Sequence, residues 1–305
     1  LDRLKAMQTF VRIVEANSFT RAAETLGLPR AALTASLQNL EAFLGTRLLQ
    51  RSTRRLSLTP DGAEYFAHCV RILVEVEAAE TAFRGQGGRG PQGRLRLDVP
   101  SALFRRLIVP RLAEFRRRYP DLELLVTMGD RLVDLIQDGV DCALRVGALR
   151  DSSLIGRRIG TMHFLCCAAP AYLLDRGTPP TLEALAGHLA VGHLSGSTGR
   201  AFDWDFQVDG RVLTVPMKSM VAVNDAEAYL SCGLNGLGLL QVARYQAREH
   251  VRSGALVELF AQWKPVPMPI SLIYPGTRQA SPKLRAVTDW LAELFGSDPE
   301  FDERA

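Results

Sequence analysis

Apolar residues at Leu4, Met7, Phe10, Val11 and Val14 recur at helical spacing, which predicts a first amphipathic helix over residues 2–16. Ser18 is placed to cap a second helix that ends at Leu26, and Gly27 supplies the turn after it. A third helix over 29–44 buries Leu33, Leu37, Leu40 and Leu44 and turns Arg30, Thr34 and Gln38 outward; Pro29 is tolerated in its first turn. Leu48 to Leu58 then read as a short hairpin, with Leu56 and Leu58 alternating on the return strand. Thr59-Pro60-Asp61 combines a hydroxyl cap, a first-turn proline and an acid near the positive end of the helix dipole, so a long helix should run from there to Arg84. Its apolar positions Phe66, Cys69, Leu73, Val76 and Phe83 follow a three-and-four spacing broken at Glu80. This is a coiled-coil seam, which either pairs two subunits or packs on its own domain.

The glycine-rich stretch 85–93 reads as a flexible linker. It contains the letters G-x-G-x-x-G, but a dinucleotide fingerprint must follow a strand and open a helix, and here a helix precedes and Pro91 intervenes. Beyond it the pattern alternates: strand 94–99, helix 104–118, strand 122–128, helix 132–137, strand 142–146. Such alternation predicts a mostly parallel sheet covered by helices. A second set of elements lies between 164 and 267, with a helix over 226–232 and a buried strand over 237–240; a last strand, 269–274, and helix, 282–295, follow.

Composition adds the placement of charge. Net charge is only +4, with 47% hydrophobic and 23% charged residues. Residues 1–60 hold nine Lys/Arg against four acids, a surplus that suits a module for binding phosphates. Two helices joined by a glycine turn, with small Ala22 and Ala23 at their contact, make a helix-turn-helix whose second member would enter the major groove of double-stranded DNA. Arg30, Thr34, Ser36 and Gln38 are its candidate readers; Arg30 suits either a guanine edge or a phosphate. Arg51, Arg54 and Arg55 at the hairpin tip read as phosphate or minor-groove contacts, or as a solvated charge run.

At this point the chain resembles the LysR-type transcriptional regulators. The resemblance rests on Ser18-Phe19-Thr20-Arg21-Ala22-Ala23, Leu26-Gly27-Leu28, Leu40-Glu41, Leu44-Gly45, Arg47-Leu48-Leu49, Arg51, Arg54, Leu58-Thr59 and Gly62. It implies a multi-domain α and α/β protein: a winged helix-turn-helix over 1–59 that also places Thr20 and Arg21 at DNA, a dimerisation helix over 60–84, and a linker over 85–93. Behind these it implies a two-lobed effector domain like the periplasmic solute-binding proteins, with lobe I over 94–163 and 268–297, lobe II over 164–267, and a tail over 298–305. It further implies a homodimer or homotetramer, a small-molecule effector, and RNA polymerase as a partner. The family pattern often has Gln, Ser and Arg on the reading face, where this chain has Arg30, Ala31 and Ala35.

In open α/β sheets, ligands bind at the carboxyl ends of strands, where helix N-termini offer free amides. Ser101, Gly129, Asp130, Arg145, Gly147, Ser195, Asn224 and Asp225 meet that description, and a small organic acid is the effector they suggest, with neutral aromatic molecules left open. Ser101, Asn224 and Asp225 also read as plain helix caps, and Arg145 as a structural ion pair with Asp141 or Asp134. The glycines over 233–238 read as a close backbone approach. Five scattered cysteines read as reduced, mostly buried thiols, and His163, His188 and His193 lack metal-ligand spacing, so no metal or cofactor is expected. The pattern holds no G-x-S-x-G, P-loop or H-E-x-x-H, which argues against an enzyme. The start of the chain lacks a signal-peptide pattern and no run reaches the roughly 18 apolar residues of a membrane span, so the expected location is the cytoplasm. The missing signal-peptide pattern and the basic N-terminal domain weigh against a solute-binding or transport module.

Overall fold

A computed structural model describes residues 1–51, 56–84, 90–129, 135, 138–149, 154–196, 198–276 and 281–302. The expected helix over 132–137 and the middle of the linker lie outside the described residues.

The N-terminal unit is three short helices, a hairpin and a long helix. Asp2 caps α1 (Arg3–Ala16) by accepting from the Lys5 amide, and Ser18 caps α2 (Phe19–Leu26) by accepting from Arg21. Gly27, at φ 63°, closes α2 in the left-handed region that side chains avoid. α3 (Arg30–Leu44) follows Pro29, then β1 (Leu49–Arg51) pairs antiparallel with β2 (Leu56–Leu58). Phe10, Ile13, Ala22, Leu33, Leu37, Leu40 and Leu48 form the fully enclosed centre.

Two contacts fix the hairpin to the helices. Glu41 on α3 accepts from the Leu48 and Leu49 amides at 2.8 and 3.2 Å, so a carboxylate satisfies the entry to β1. Thr59 donates to the Arg47 carbonyl and accepts from the Gly62 amide, capping α4 (Pro60–Arg84) while tying it to the same turn. Gly62 is where the backbones touch: a Cβ there would lie 2.0 Å from the Leu48 carbonyl oxygen.

The seam expected on α4 is partly spent inside this unit. Cys69 is fully enclosed, and Phe66 and Leu73 pack on the same core, with the Phe66 ring 6.3 Å from Phe10. Val76 lies one turn beyond, and the Phe83 side chain lies outside the described residues.

The sensor has one large sheet and three small ones. β3 (Gly93–Val99), β4 (Leu122–Met128), β5 (Cys142–Val146), β6 (Leu154–Met162) and β14 (Met268–Pro275) lie in the order β4-β3-β5-β14-β6, with only β14 antiparallel to its neighbours. The mostly parallel sheet is therefore present. β6 was not anticipated. α5 (Ser101–Leu103) leads through a π turn, Phe104–Ile108, and a 3-10 turn, Val109–Arg111, into α6 (Leu112–Arg118). This helical run starts three residues before the expected one, and its irregular middle includes Pro110, which has no amide to donate. α10 (Pro282–Gly296) covers the same face with Leu284, Val287, Trp290, Leu291 and Phe295.

The second lobe holds β7 (Phe164–Ala168), α7 (Pro170–Arg176), β8 (Leu189–His193), β9 (Trp204–Val208), β10 (Arg211–Val215), β11 (Lys218–Val223), α8 (Ala226–Leu234), β12 (Leu240–Ala243), α9 (Arg244–Arg252) and β13 (Val257–Leu259). These form sheets β12-β7-β13, β11-β8 and the hairpin β9-β10. The strand expected over 237–240 begins instead at Leu240. Gly238 is held against the backbone of β8, where a Cβ would lie 2.7 Å from the Ala190 carbonyl carbon, and Gly233 leaves room for Leu240.

Residues 94–163 and 268–297 hold sixteen Lys/Arg against eleven acids, so the surplus is not confined to the N-terminal unit. The composition suits the sensor helices as well as a DNA module.

Gly62→Ala should destabilise the N-terminal unit by ~1–3 kcal/mol through overpacking against Leu48, read as a lower urea midpoint with unchanged helix content before the transition. An unchanged midpoint would show that α4 can shift without cost.

Candidate DNA interface and effector cleft

Capping by Ser18 leaves Thr20 and Arg21 exposed in the first turn of α2, where the free amides and the helix dipole favour a phosphate. On α3, Arg30 and Gln38 are exposed and Thr34 is half-buried, and the three follow one another at four-residue spacing on one side. Ala31 and Ala35 are exposed beside them, so the outward face is narrow in polar groups. Ser36 does not join them. Two residues from Thr34 place it about 200° around the helix, and it is half-buried toward the Leu40 side. The backbone of Arg51 pairs with Leu56 across the hairpin; the Arg51 side chain, Arg54 and Arg55 lie outside the described residues.

The sensor's cleft follows from strand order. β3 comes first in the sheet, β4 lies on one side of it and β5 on the other, which makes the gap between the ends of β3 and β5 a topological switch point. β5 pairs with β3 at Leu97↔Cys142 and Asp98↔Ala143, and the two strands part beyond that point. Arg145 stands where they part. Its Nη2 lies 2.7 Å from Asp98 Oδ1, its Nη1 donates to the Leu144 carbonyl at 2.8 Å, and both side chains of the pair are at most 9% exposed. The other carboxylate oxygen of Asp98, Oδ2, accepts a hydrogen bond from the Thr127 hydroxyl at 2.6 Å. The ion-pair partner found among the described residues is Asp98, on the neighbouring strand; Asp141 accepts from the Arg96 amide, and Asp134 lies outside the described residues.

Ser101 donates to Asp225 Oδ2 at 2.8 Å, joining the start of the first lobe's helical run to the start of α8 in the second lobe. Asp225 also caps α8 by accepting from the Ala228 amide. Burial opposes ionisation of Asp225, but the Ala228 amide, the Ser101 hydroxyl and the nearby Arg105 outweigh it and hold its pKa below the usual carboxylate value. Arg106 makes a second bridge between lobes to Glu227 on α8, with two hydrogen bonds at 3.0 and 3.3 Å. Asn224 is exposed beside the cap. Gly129 and Gly147 line the sheet end, but their amides are already spent, on the Val99 and Pro269 carbonyls. Ser195 gives its amide to the Arg200 carbonyl. Asp130 lies outside the described residues.

His193 belongs to the second lobe's wall. Its ring stacks on Tyr229 at 5.1 Å and meets Phe202 edge-on at 6.0 Å, and Phe202 is about half exposed. Burial lowers the His193 pKa, partly offset by Asp225. Its position two residues before the proposed Ser195 was the available signal. Among the described residues no group of three potential metal ligands converges. Burial pushes the thiols of Cys69 up to about 11 and of Cys142 and Cys167 up to about 12, so these stay protonated.

A winged helix-turn-helix joined to a two-lobed α/β sensor defines a class of ligand-responsive DNA-binding regulators. The helix-turn-helix of bacterial regulatory proteins of the lysR family matches residues 4–63, and the LysR substrate binding domain matches residues 88–296. The chain belongs to the LysR family of transcriptional regulators: it is a DNA-binding transcriptional regulator with an effector-binding domain. It is 37% identical over 300 residues to an HTH-type transcriptional repressor of Pseudomonas aeruginosa, covering 98% of this chain and 94% of that one. It is 33% identical to CrgA, a LysR-type transcriptional regulator from Neisseria meningitidis, whose structure matches with a TM-score of 0.60 over 95% of this chain and 97% of that one. The full-length Vibrio cholerae virulence activator AphB, 27% identical, matches with a TM-score of 0.58 over 96% and 98%. Family members bind DNA and small-molecule effectors and form oligomers. Among the described residues no helix is long and apolar enough to cross a membrane.

A buried histidine with a lowered pKa binds its proton more readily when unfolded, so its contribution to stability is full above the unfolded value of 6.5 and is lost as pH falls below it. His193→Phe keeps the stack on Tyr229 and should flatten the fall in urea midpoint below pH 6.5. An unchanged slope would assign the acid sensitivity to other groups.

Proposed function

We propose that Thr20, Arg21, Arg30, Thr34 and Gln38, with the wing arginines Arg51, Arg54 and Arg55, carry operator binding, and that the cleft around Ser101, Arg145, Asn224 and Asp225 takes the effector. The exposed α2 and α3 face is the observation that carries the first half: a capped helix start with a cation in its first turn, followed by a helix whose outward side carries Arg30, Thr34 and Gln38. The split between β3 and β5 at a switch point carries the second half.

Pairing of two subunits along α4 suits a reader of inverted repeats. With Phe66, Cys69 and Leu73 used by the N-terminal core, the face left for a partner runs through exposed Ile72 and half-buried Val76 toward Phe83. The protein acts in the cytoplasm, as a homodimer or homotetramer at its operator, and engages RNA polymerase there. Domain limits follow the chain: DNA-binding over 1–59, pairing helix over 60–84, linker over 85–93, lobes over 94–163 with 268–297 and over 164–267, and a tail from 298.

Fluorescence anisotropy on operator and random duplexes across a salt series tests the DNA half. Arg21→Ala should weaken both duplexes alike and reduce the salt slope by about one. Arg30→Ala should cost about 1–3 kcal/mol on the operator and little on random DNA. Equal losses on both duplexes for Arg30→Ala would make it a phosphate contact.

A further inference from the structure

The cleft has spent its anion-binding groups on itself. Arg145 is neutralised by Asp98 2.7 Å away, and the N-terminus of α8 is filled by the carboxylate of its own cap, Asp225. The amides of Gly129, Gly147 and Ser195 donate to carbonyls of the fold. Arg105, at the seam between the lobes, lowers the pKa of Asp225 and of Glu227 and so serves two carboxylates already. An organic acid entering here would lose its hydration and meet an Arg145 already neutralised by Asp98, which disfavours burying a further negative charge beside it.

Hydrogen-bond capacity does remain. Asp98 Oδ1 and Arg145 Nη2 touch as an ion pair without hydrogen-bond alignment, and Arg145 Nε has no acceptor, although all three atoms are shielded from water. A buried donor left unmade is costly, so the site gains from an acceptor and not from a charge. Apolar surface is offered by Met128, at the end of β4, and by Phe202, against His193 on the second lobe's wall, each about half exposed.

We propose that the effector is an uncharged molecule with an aromatic or similarly apolar body and a carbonyl-type acceptor, the acceptor taking the unspent N–H of Arg145 and the body lying against Phe202. This deepens the assignment of the cleft as the effector site and rests on it. It replaces the organic acid suggested by the sequence, because those helix ends and that arginine are occupied.

Benzamide, benzoate and benzylamine differ in charge at nearly constant shape. Titrated into the full chain and followed by calorimetry or thermal shift, benzamide should bind at least about tenfold more tightly than benzoate. In Asp98→Asn, which keeps an acceptor for Thr127 but frees the charge of Arg145, the order should reverse. Benzoate preferred by the unaltered protein, or no response to any probe, overturns the proposal, and neither result depends on the variant folding. Phe202→Ala, at an exposed position, reports location. If benzamide binds but Phe202→Ala leaves every affinity unchanged, the cleft assignment itself fails; if Phe202→Ala weakens binding while benzoate is the tightest probe, only the charge inference fails.

Discussion

The sensor depends on one strand that arrives late. β14 inserts between β5 and β6, pairing antiparallel with both, and its Ile270 and Leu272 lie at the centre of the first lobe's core. Until that strand is in place β6 has no neighbour in the sheet, because β5 and β6 do not touch through their backbones. The chain must therefore leave the first lobe after β6, build the second, and return. The two crossings, near His163 and before Met268, are what make the sensor two-lobed with a cleft between. The tail secures the same region. Phe301 is buried in the first lobe while Glu300 accepts from Arg244 and Arg248 on α9 of the second, at 3.0 and 2.9 Å, and the Asp302 carbonyl bonds His163.

A similar economy governs the N-terminal unit, where backbone groups are the limiting resource. The amides at the start of β1 would be left without partners inside the fold, and the Glu41 carboxylate takes both. The following turn gives its carbonyls to Thr59, and Gly62 admits the Leu48 carbonyl at a distance that no side chain would allow. The motif residues Glu41, Leu48, Thr59 and Gly62 thus form one contact, and what they hold is the angle between the wing, the reading helix and α4.

Local chemistry made the helices of this unit legible. Ser18 and Gly27 mark the ends of α2, Asp2 and Gly45 lie at the ends of α1 and α3, and the observed bounds fall within about a residue of those expected. The fold class was legible too, through the alternation of strands and helices and the family motif. What the sequence hid was non-local. β6 mixes glycine and arginine with apolar residues, and it is a strand because β14 comes to pair with it. The partner of Arg145 was sought among acids close in sequence, Asp134 and Asp141, but parallel strands bring Asp98 beside it from far earlier in the chain. Ser36 was grouped with Thr34 and Gln38 by proximity in sequence, which a helix turns into opposite faces. The hairpin β9-β10 is different, since Asp209-Gly210, both with positive φ, is a strong local turn signal.

The ties across the cleft set what an effector has to do. Ser101 to Asp225 and Arg106 to Glu227 already join the lobes at the cleft side, and Glu300 joins them through the tail. A ligand that merely fits beside these bonds has the same affinity for either arrangement of the lobes and shifts nothing. To signal, it must make contacts in one arrangement that it loses in the other. Arg145 belongs to the first lobe's sheet and Phe202 to the second lobe's wall, so a molecule that touches both has an affinity that depends on how the lobes stand. Ser101 is the neighbouring group with something to exchange, because its hydroxyl can leave Asp225 for an entering acceptor while Asp225 keeps the α8 cap through the Ala228 amide. The cap and the latch thus share one carboxylate, and loss of the latch need not unwind the helix that carries it.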